Sequence, residues 1–214
     1  WIDTLFYIPH QVPESPHRIS LVSREGEVVE FFEQPLPFAS SQGIRNLTWD
    51  GRWIWGTCLN AEEIPTIVAF TRDGRLVTDM PVPFETLGRT MPIAYSPTRR
   101  NLFISDADAY VYEVTRDGEI VDEWEIRLPG EPFNPIGMTW NTYDGDDMPL
   151  YILETEGNPE DTVQLRLIKF SPQDGSFKLV GHLPSGVGNQ GGWGLTIIST
   201  KDHPQLRIAY LEDR

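Results

Sequence analysis

Cysteine is almost missing from this chain. Cys58 stands alone among 214 residues, so no internal disulfide can form. That leaves the compartment open, because many secreted bacterial domains also lack disulfides. Long apolar runs are missing as well. No stretch reaches the roughly 18 residues that a membrane-crossing helix needs, so no span of that kind is expected. Basic residues are few: 17 Lys and Arg stand against 32 Asp and Glu, a formal net charge of −15. An acidic surface repels phosphate backbones and anionic membranes, which argues against nucleic acid as a partner and favours solubility and cation binding. The four histidines, His10, His17, His182 and His203, show no metal-ligand spacing. A leader-type segment and an initiating Met are not seen either. The chain opens on Trp1-Ile2-Asp3, which reads as a mature fragment or a partial sequence.

Helical patterning is the next absence. No stretch of helix length repeats its apolar residues every 3.6 positions. What fills the chain instead is short β-branched and aromatic runs bounded by Gly, Pro, Asn and Asp, the pattern of strands and turns. Two motifs recur. The first is a turn former, an aliphatic, a small residue and a large one. It appears as Asn46-Leu47-Thr48-Trp49-Asp50-Gly51, Pro92-Ile93-Ala94-Tyr95-Ser96-Pro97, Gly137-Met138-Thr139-Trp140-Asn141-Thr142 and Gly194-Leu195-Thr196-Ile197-Ile198-Ser199. The second is a hairpin around Gly26, Gly74, Gly118 and Gly175, each preceded by Ser or Thr and an acid and followed by an apolar strand. An acid-Gly pair between alternating strands is a strong hairpin signal, because Gly accepts positive φ, and the Ser or Thr can hydrogen-bond the turn.

Interleaved, the motifs predict a four-stranded antiparallel unit that repeats about every 40–50 residues, the mark of a β-propeller blade. We expect an all-β propeller of about four to five visible blades, forming one domain or fragment over residues 1–214. The blades fall at approximately 1–37 (partial), 43–84, 89–129, 134–184 and 192–214 (partial). The strands group as three, four, four, four and two, so a piece of a larger propeller is expected, with an irregular five-bladed closure as the rival. Thr48, Ala94, Thr139 and Thr196 are small where inner strands crowd the channel, and Trp49, Tyr95 and Trp140 are expected to pack between blades.

Leu47-Thr48-Trp49-Asp50-Gly51-Arg52-Trp53-Ile54-Trp55 followed by Phe70-Thr71-Arg72-Asp73-Gly74 resembles blades of bacterial six- or seven-bladed propellers. Glutaminyl-cyclotransferase-like, NHL-like and virginiamycin-lyase-like proteins share this style. It is similar also to propeller segments of large secreted bacterial surface proteins, including those with a type IX sorting domain. The resemblance implies a fold and a secreted or cell-surface setting, and no substrate. No catalytic residue of those families matches a position here.

Propeller topology sorts the loops. Those leading into the first strand, and those joining strands two and three, share the channel mouth, where function gathers on variable loops. Arg45, Arg89, Asn134, Gln190 and Trp193 are the candidate ligand contacts, for a protein, small-molecule or glycan partner. Asp106 with Asp108, and Glu154 with Glu156, are candidate oxygen donors to Ca2+. Asp144-Gly145-Asp146-Asp147 looks like the start of an EF-hand loop and lacks the rest of it. Gly186 to Gly192 is Gly-rich but follows no βαβ pattern, and no Ser nucleophile elbow exists. The preferred expectation is a non-enzymatic extracellular module for binding or surface assembly, with self-association through open blade edges. The alternative is a propeller enzyme of lyase, cyclotransferase or hydrolase type, with Asp106 and Glu154 converging as paired carboxylates at the mouth.

Overall fold

A computed structural model of the chain describes residues 5–10, 16–35, 43–86, 91–106, 110–126, 133–156, 164–183, 198–200 and 203–205. Every regular element among them is a strand. β1 (Phe6–His10), β2 (Arg18–Val22) and β3 (Val28–Glu33) form a three-stranded sheet. Three four-stranded blades follow. The first is β4 (Leu47–Trp49), β5 (Ile54–Leu59), β6 (Pro65–Phe70) and β7 (Leu76–Pro81). The second is β8 (Ile93–Ser96), β9 (Asn101–Ser105), β10 (Tyr110–Val114) and β11 (Ile120–Glu125). The third is β12 (Pro135–Trp140), β13 (Leu150–Glu156), β14 (Gln164–Phe170) and β15 (Phe177–His182). A hairpin of β16 (Ile198–Thr200) and β17 (His203–Gln205) ends the described residues. It falls within the partial blade expected at 192–214, most of which lies outside the described residues.

Within each sheet the strands pair antiparallel in chain order, and the fold is an all-β propeller. The inner strands β4, β8 and β12 lie side by side at the axis. Thr48 shows why a small hydroxyl residue stands there: its Oγ1 accepts the backbone N–H of Tyr95 on the next inner strand at 2.9 Å. The middle strands are sandwiched between blades, so β5 is buried along its whole length. A strand covered on both faces reads as a continuous apolar run, not an alternating one. Outer strands face solvent on one side, which leaves Val28, Val29, Ile120 and Val121 exposed.

The core is a series of apolar layers between neighbouring sheets. Ile19, Ile44, Ile54, Val68 and Phe70, with Trp49, join the three-stranded sheet to the first blade. Trp55, Ile67, Ile93, Ile104 and Val114, with Tyr95, join the first blade to the second. Phe103, Val111, Met138, Ile152 and Phe170, with Trp140, join the second to the third. The three large inner-strand aromatics therefore occupy the inter-blade layers expected of them.

The hairpin glycines do two jobs. Gly26, Gly74, Gly118 and Gly175 have φ of 88°, 82°, 89° and 73°, the left-handed region that L side chains resist. Ser23 and Thr115 take two turn N–H groups each on their hydroxyls, as the turn chemistry predicts. The second job concerns the neighbouring sheet. A Cβ on Gly74 would lie 2.5 Å from Phe32, one on Gly118 2.9 Å from Met80, and one on Gly175 3.1 Å from Trp124. Phe32, Met80 and Trp124 occupy one register position on successive outer strands, opposite Ile19, Ile67 and Val111. Each turn thus seats its bare glycine against a knob on the preceding sheet.

Candidate functional site

In a meander of four antiparallel strands, the turns joining strands one–two and three–four lie at one end. The two–three loops and the crossings between blades lie at the other. The first end is the foot of the propeller and the second its mouth.

Charged side chains at the foot are consumed in joints between blades. Asp50 leads out of β4, and its Oδ1 accepts the N–H groups of Arg52 and Trp53 at 2.7 Å each. Its Oδ2 accepts Trp55 Nε1–H at 2.9 Å and Arg116 of the next blade's hairpin at 3.3 Å. Burial alone would raise this carboxyl; the bonds from Trp53, Trp55, Arg52 and Arg116 outweigh it and hold the pKa below the usual value. The next joint repeats the plan. Arg99, in the loop after β8, donates to buried Glu113 at 2.7 Å and to the carbonyl of Pro172 in the following blade at 3.1 Å. Asn101 completes the Glu113 carboxylate at 2.7 Å.

The Asp144-Gly145-Asp146-Asp147 loop lies at the same end and is occupied by protein. Asp144 accepts N–H groups of Asp146 and Met148, the Tyr151 hydroxyl at 2.7 Å and the Lys169 ammonium at 2.5 Å. Lys169 and Lys178 also reach Asp146, at 3.2 and 3.7 Å. The Lys169 ammonium thus bridges the Asp144 and Asp146 carboxylates. Burial by itself would raise the Asp144 carboxyl, but Lys169, Tyr151 and the two N–H groups overcome it and lower its pKa.

The mouth is built from unlike parts. Asp106, at the end of β9, is buried and caps the next strand: its carboxylate accepts the Tyr110 N–H at 3.0 Å and the Tyr112 hydroxyl at 3.4 Å. Tyr112 stacks on Phe84 at 3.8 Å between centroids, and burial together with Asp106 pushes its phenol pKa up. Glu154 is fully buried on β13 and pairs across the sheet with Arg166, whose Nε donates to it. Asn134 bonds Thr155 through both its side chain and its carbonyl. Asp106, Glu154 and Asn134 thus each engage another group of the protein. Arg89, Asp108, Gln190 and Trp193 lie outside the described residues, as does the side chain of Glu156. Among the described residues, no three His, Cys, Asp or Glu side chains group so as to hold a metal ion. Cys58 is buried, and burial followed by the charge of Asp79 pushes its thiol up to about 12, so it is no nucleophile.

Arg45 differs from all of these. It is half-buried in the segment leading into β4, and burial alone lowers its pKa. Among the described residues its guanidinium makes no ion pair, hydrogen bond or ring contact. Its backbone, by contrast, is held. Gln34 accepts the Ile44 N–H at 2.7 Å and donates to the Ile44 carbonyl at 3.1 Å. Gly43 lies so close to Gln34 and His17 that a Cβ there would come within 2.5 Å of both. Ile44, not Arg45, takes the place that Met91 has in the next blade: each is buried in an inter-blade layer and held on both backbone groups, Ile44 by Gln34 and Met91 by Thr57.

Arg166 was invisible as a site residue from sequence. The signal was available: with a short β13–β14 loop, antiparallel register sets it opposite Glu154.

No family model matches the chain, and no curated protein sequence does. Solved structures do resemble it. A protein of unknown function from Bacteroides thetaiotaomicron superposes with a TM-score of 0.56 at 16% identity, over 98% of this chain and 50% of that one. Myxococcus xanthus glutaminyl cyclase superposes with a TM-score of 0.50 at 12% identity, over 86% of this chain and 79% of that one. A protein of unknown function from Bacteroides caccae gives a TM-score of 0.47 at 14% identity, over 92% of this chain and 62% of that one. The chain thus spans less than two thirds of the length of both Bacteroides proteins. At these identities the likeness is one of fold.

Proposed function

We propose that this propeller is a non-enzymatic binding module that takes its ligand at the channel mouth, within a secreted or cell-surface protein. The observation that carries the reading is the contrast at Arg45: a half-buried cation with no acid partner among the described residues, in a chain where acids outnumber bases 32 to 17. Arginine is a frequent binding anchor. The secreted setting rests on the resemblance of the blades to secreted bacterial propellers. An enzyme of lyase, cyclotransferase or hydrolase type would need working acids at the mouth. Asp106 and Glu154 are engaged by Tyr110, Tyr112 and Arg166, which counts against that role.

The test is a ligand array of glycans, peptides, amino acids and organic acids, with each hit mapped by hydrogen exchange. Protection at residues 43–46 and 60–64 supports the reading. Protection confined to the hairpins at 71–75 and 115–119 would reject it, and turnover lost on Asp106→Asn or Glu154→Gln would replace it with the enzyme alternative.

A further inference from the structure

The chain contains five Asp-Gly pairs: Asp50-Gly51, Asp73-Gly74, Asp117-Gly118, Asp144-Gly145 and Asp174-Gly175. Such a pair carries its own chemistry. Glycine puts no side chain over its backbone nitrogen, so that nitrogen can reach the γ-carbon of the preceding carboxyl. A C–N bond forms, the carboxyl hydroxyl leaves as water with the proton of the N–H, and a five-membered succinimide closes. Water then reopens the ring at either carbonyl, giving aspartate or isoaspartate. An ionised carboxylate resists the attack, so donors that hold the charged form protect the pair.

Four of the five pairs are protected in this way. Asp50 accepts Arg52, Trp53, Trp55 and Arg116, and Asp144 accepts Asp146, Met148, Tyr151 and Lys169. Asp174 accepts the Ser176 N–H at 3.1 Å and the Ser176 hydroxyl at 2.7 Å. Asp73 accepts the Thr71 hydroxyl and pairs with Arg75 at 2.7 Å. Thr71, and then Arg75, hold the Asp73 carboxyl below its usual range, and Ser176 does the same for Asp174. Asp117 is exposed, and its carboxylate accepts no hydrogen bond among the described residues.

Asp73 is a matched control. Both acids lie in the tetrapeptide Thr-Arg-Asp-Gly. Gly74 and Gly118 have φ of 82° and 89°, and each donates to its threonine carbonyl, at 3.0 and 3.1 Å. The surroundings differ. Arg75 follows Gly74 and supplies a donor, whereas Glu119 follows Gly118 and supplies none. Arg116, beside Asp117, is engaged at Asp50 of the preceding blade.

We infer that Asp117 is the residue at which this chain modifies itself, Asp117-Gly118 passing through a succinimide to isoaspartate ahead of the other four pairs. The consequence reaches the neighbouring blade. Isoaspartate routes the backbone through the side-chain carbon and adds one methylene to the turn. Gly118 then no longer seats on Met80, and the joint between the first and second blades loosens.

Peptide mapping of the whole protein after prolonged warm incubation in mildly acidic buffer provides the test, with isoaspartate assigned by electron-transfer fragmentation. Isoaspartate at Asp117 should run about threefold or more ahead of that at Asp73. The isoaspartate-rich fraction, separated by ion exchange, should melt at a lower temperature than the parent. In urea the two rates should converge, because the tetrapeptides are identical. Arg75→Glu should speed Asp73 and Glu119→Arg should slow Asp117, both positions being exposed. Asp73 converting as fast as Asp117 in the folded protein would overturn the proposal. A difference that persists unchanged in urea would also overturn it, since it would then come from local sequence and not from the fold. An Asp117 that stays intact throughout the incubation overturns it as well.

Discussion

Foot and mouth of this propeller are made from the same strands and obey different rules. At the foot, successive joints repeat. A hairpin glycine seats on the preceding outer strand at Phe32, Met80 and Trp124. A strand one–two loop meets the next blade's hairpin at Asp50–Arg116 and again at Arg99–Pro172. At the mouth, each corner is held by a different device: Gln34 on Ile44, Thr57 on Met91, Asn134 on Thr155. Repetition marks the end that stacks blades. Divergence marks the end at which we propose a ligand binds, and Arg45, without an acid partner among the described residues, is found there.

The comparison breaks first at Glu113. Its buried carboxylate receives Arg99 and Asn101, so Glu113→Ala should cost about 3 kcal/mol, since truncation empties a buried position and leaves two donors without their acceptor. Urea unfolding checks it. A loss below about 1 kcal/mol would mean that the joint is ornamental. Gly74→Ala comes next, with about 2 kcal/mol expected from left-handed strain plus displacement of Phe32. Gly51→Ala is its control. That residue has φ of 94° and nothing within 4 Å, so only the strain of about 1 kcal/mol should appear. Equal losses would remove the inter-blade role of the hairpin glycine.

Acid sharpens the contrast further. Asp50 and Asp144 have folded pKa values below their unfolded ones. A depressed carboxyl contributes stability that is full above its unfolded pKa, near 4, and lost as pH falls through the lower folded value. Stability should therefore be flat from about pH 5 upward in this respect and decline below about pH 4. Asp50→Asn and Asp144→Asn should each flatten that decline while lowering stability at neutral pH. Chemical denaturation from pH 2 to 7 reads both effects, and an unchanged slope in the two variants would show that the foot carboxylates are not what acid attacks.

Most of the foot was legible in sequence, because its parts repeat. Strand period, the acid-Gly turn and the preceding Ser or Thr are local signals, and four copies reinforce one another. The knob under each glycine was not legible: Phe32 and Gly74 are far apart in the chain and meet only when blades stack. At the mouth, Arg45, Asn134, Asp106 and Glu154 all drew notice as polar residues in loops or at strand ends. Sequence could not separate them, since what distinguishes a brace from an anchor is whether a partner lies across the sheet. Glu154 meets Arg166 across the sheet, and Asn134 meets Thr155. The setting of the acidic loop at 144–147 was hidden for the same reason, its counter-ions being Lys169 and Lys178 from two other strands.

The smallest expected effect bears most directly on the claim that Arg45 is an anchor and not a brace. Arg45→Met removes the charge and keeps an unbranched apolar stem. Thermal unfolding of Arg45→Met beside Glu113→Ala decides the matter. The account predicts that Arg45→Met melts within about 0.5 kcal/mol of the parent protein, or slightly above it, while Glu113→Ala falls far below. A loss in Arg45→Met as large as that of Glu113→Ala would contradict it.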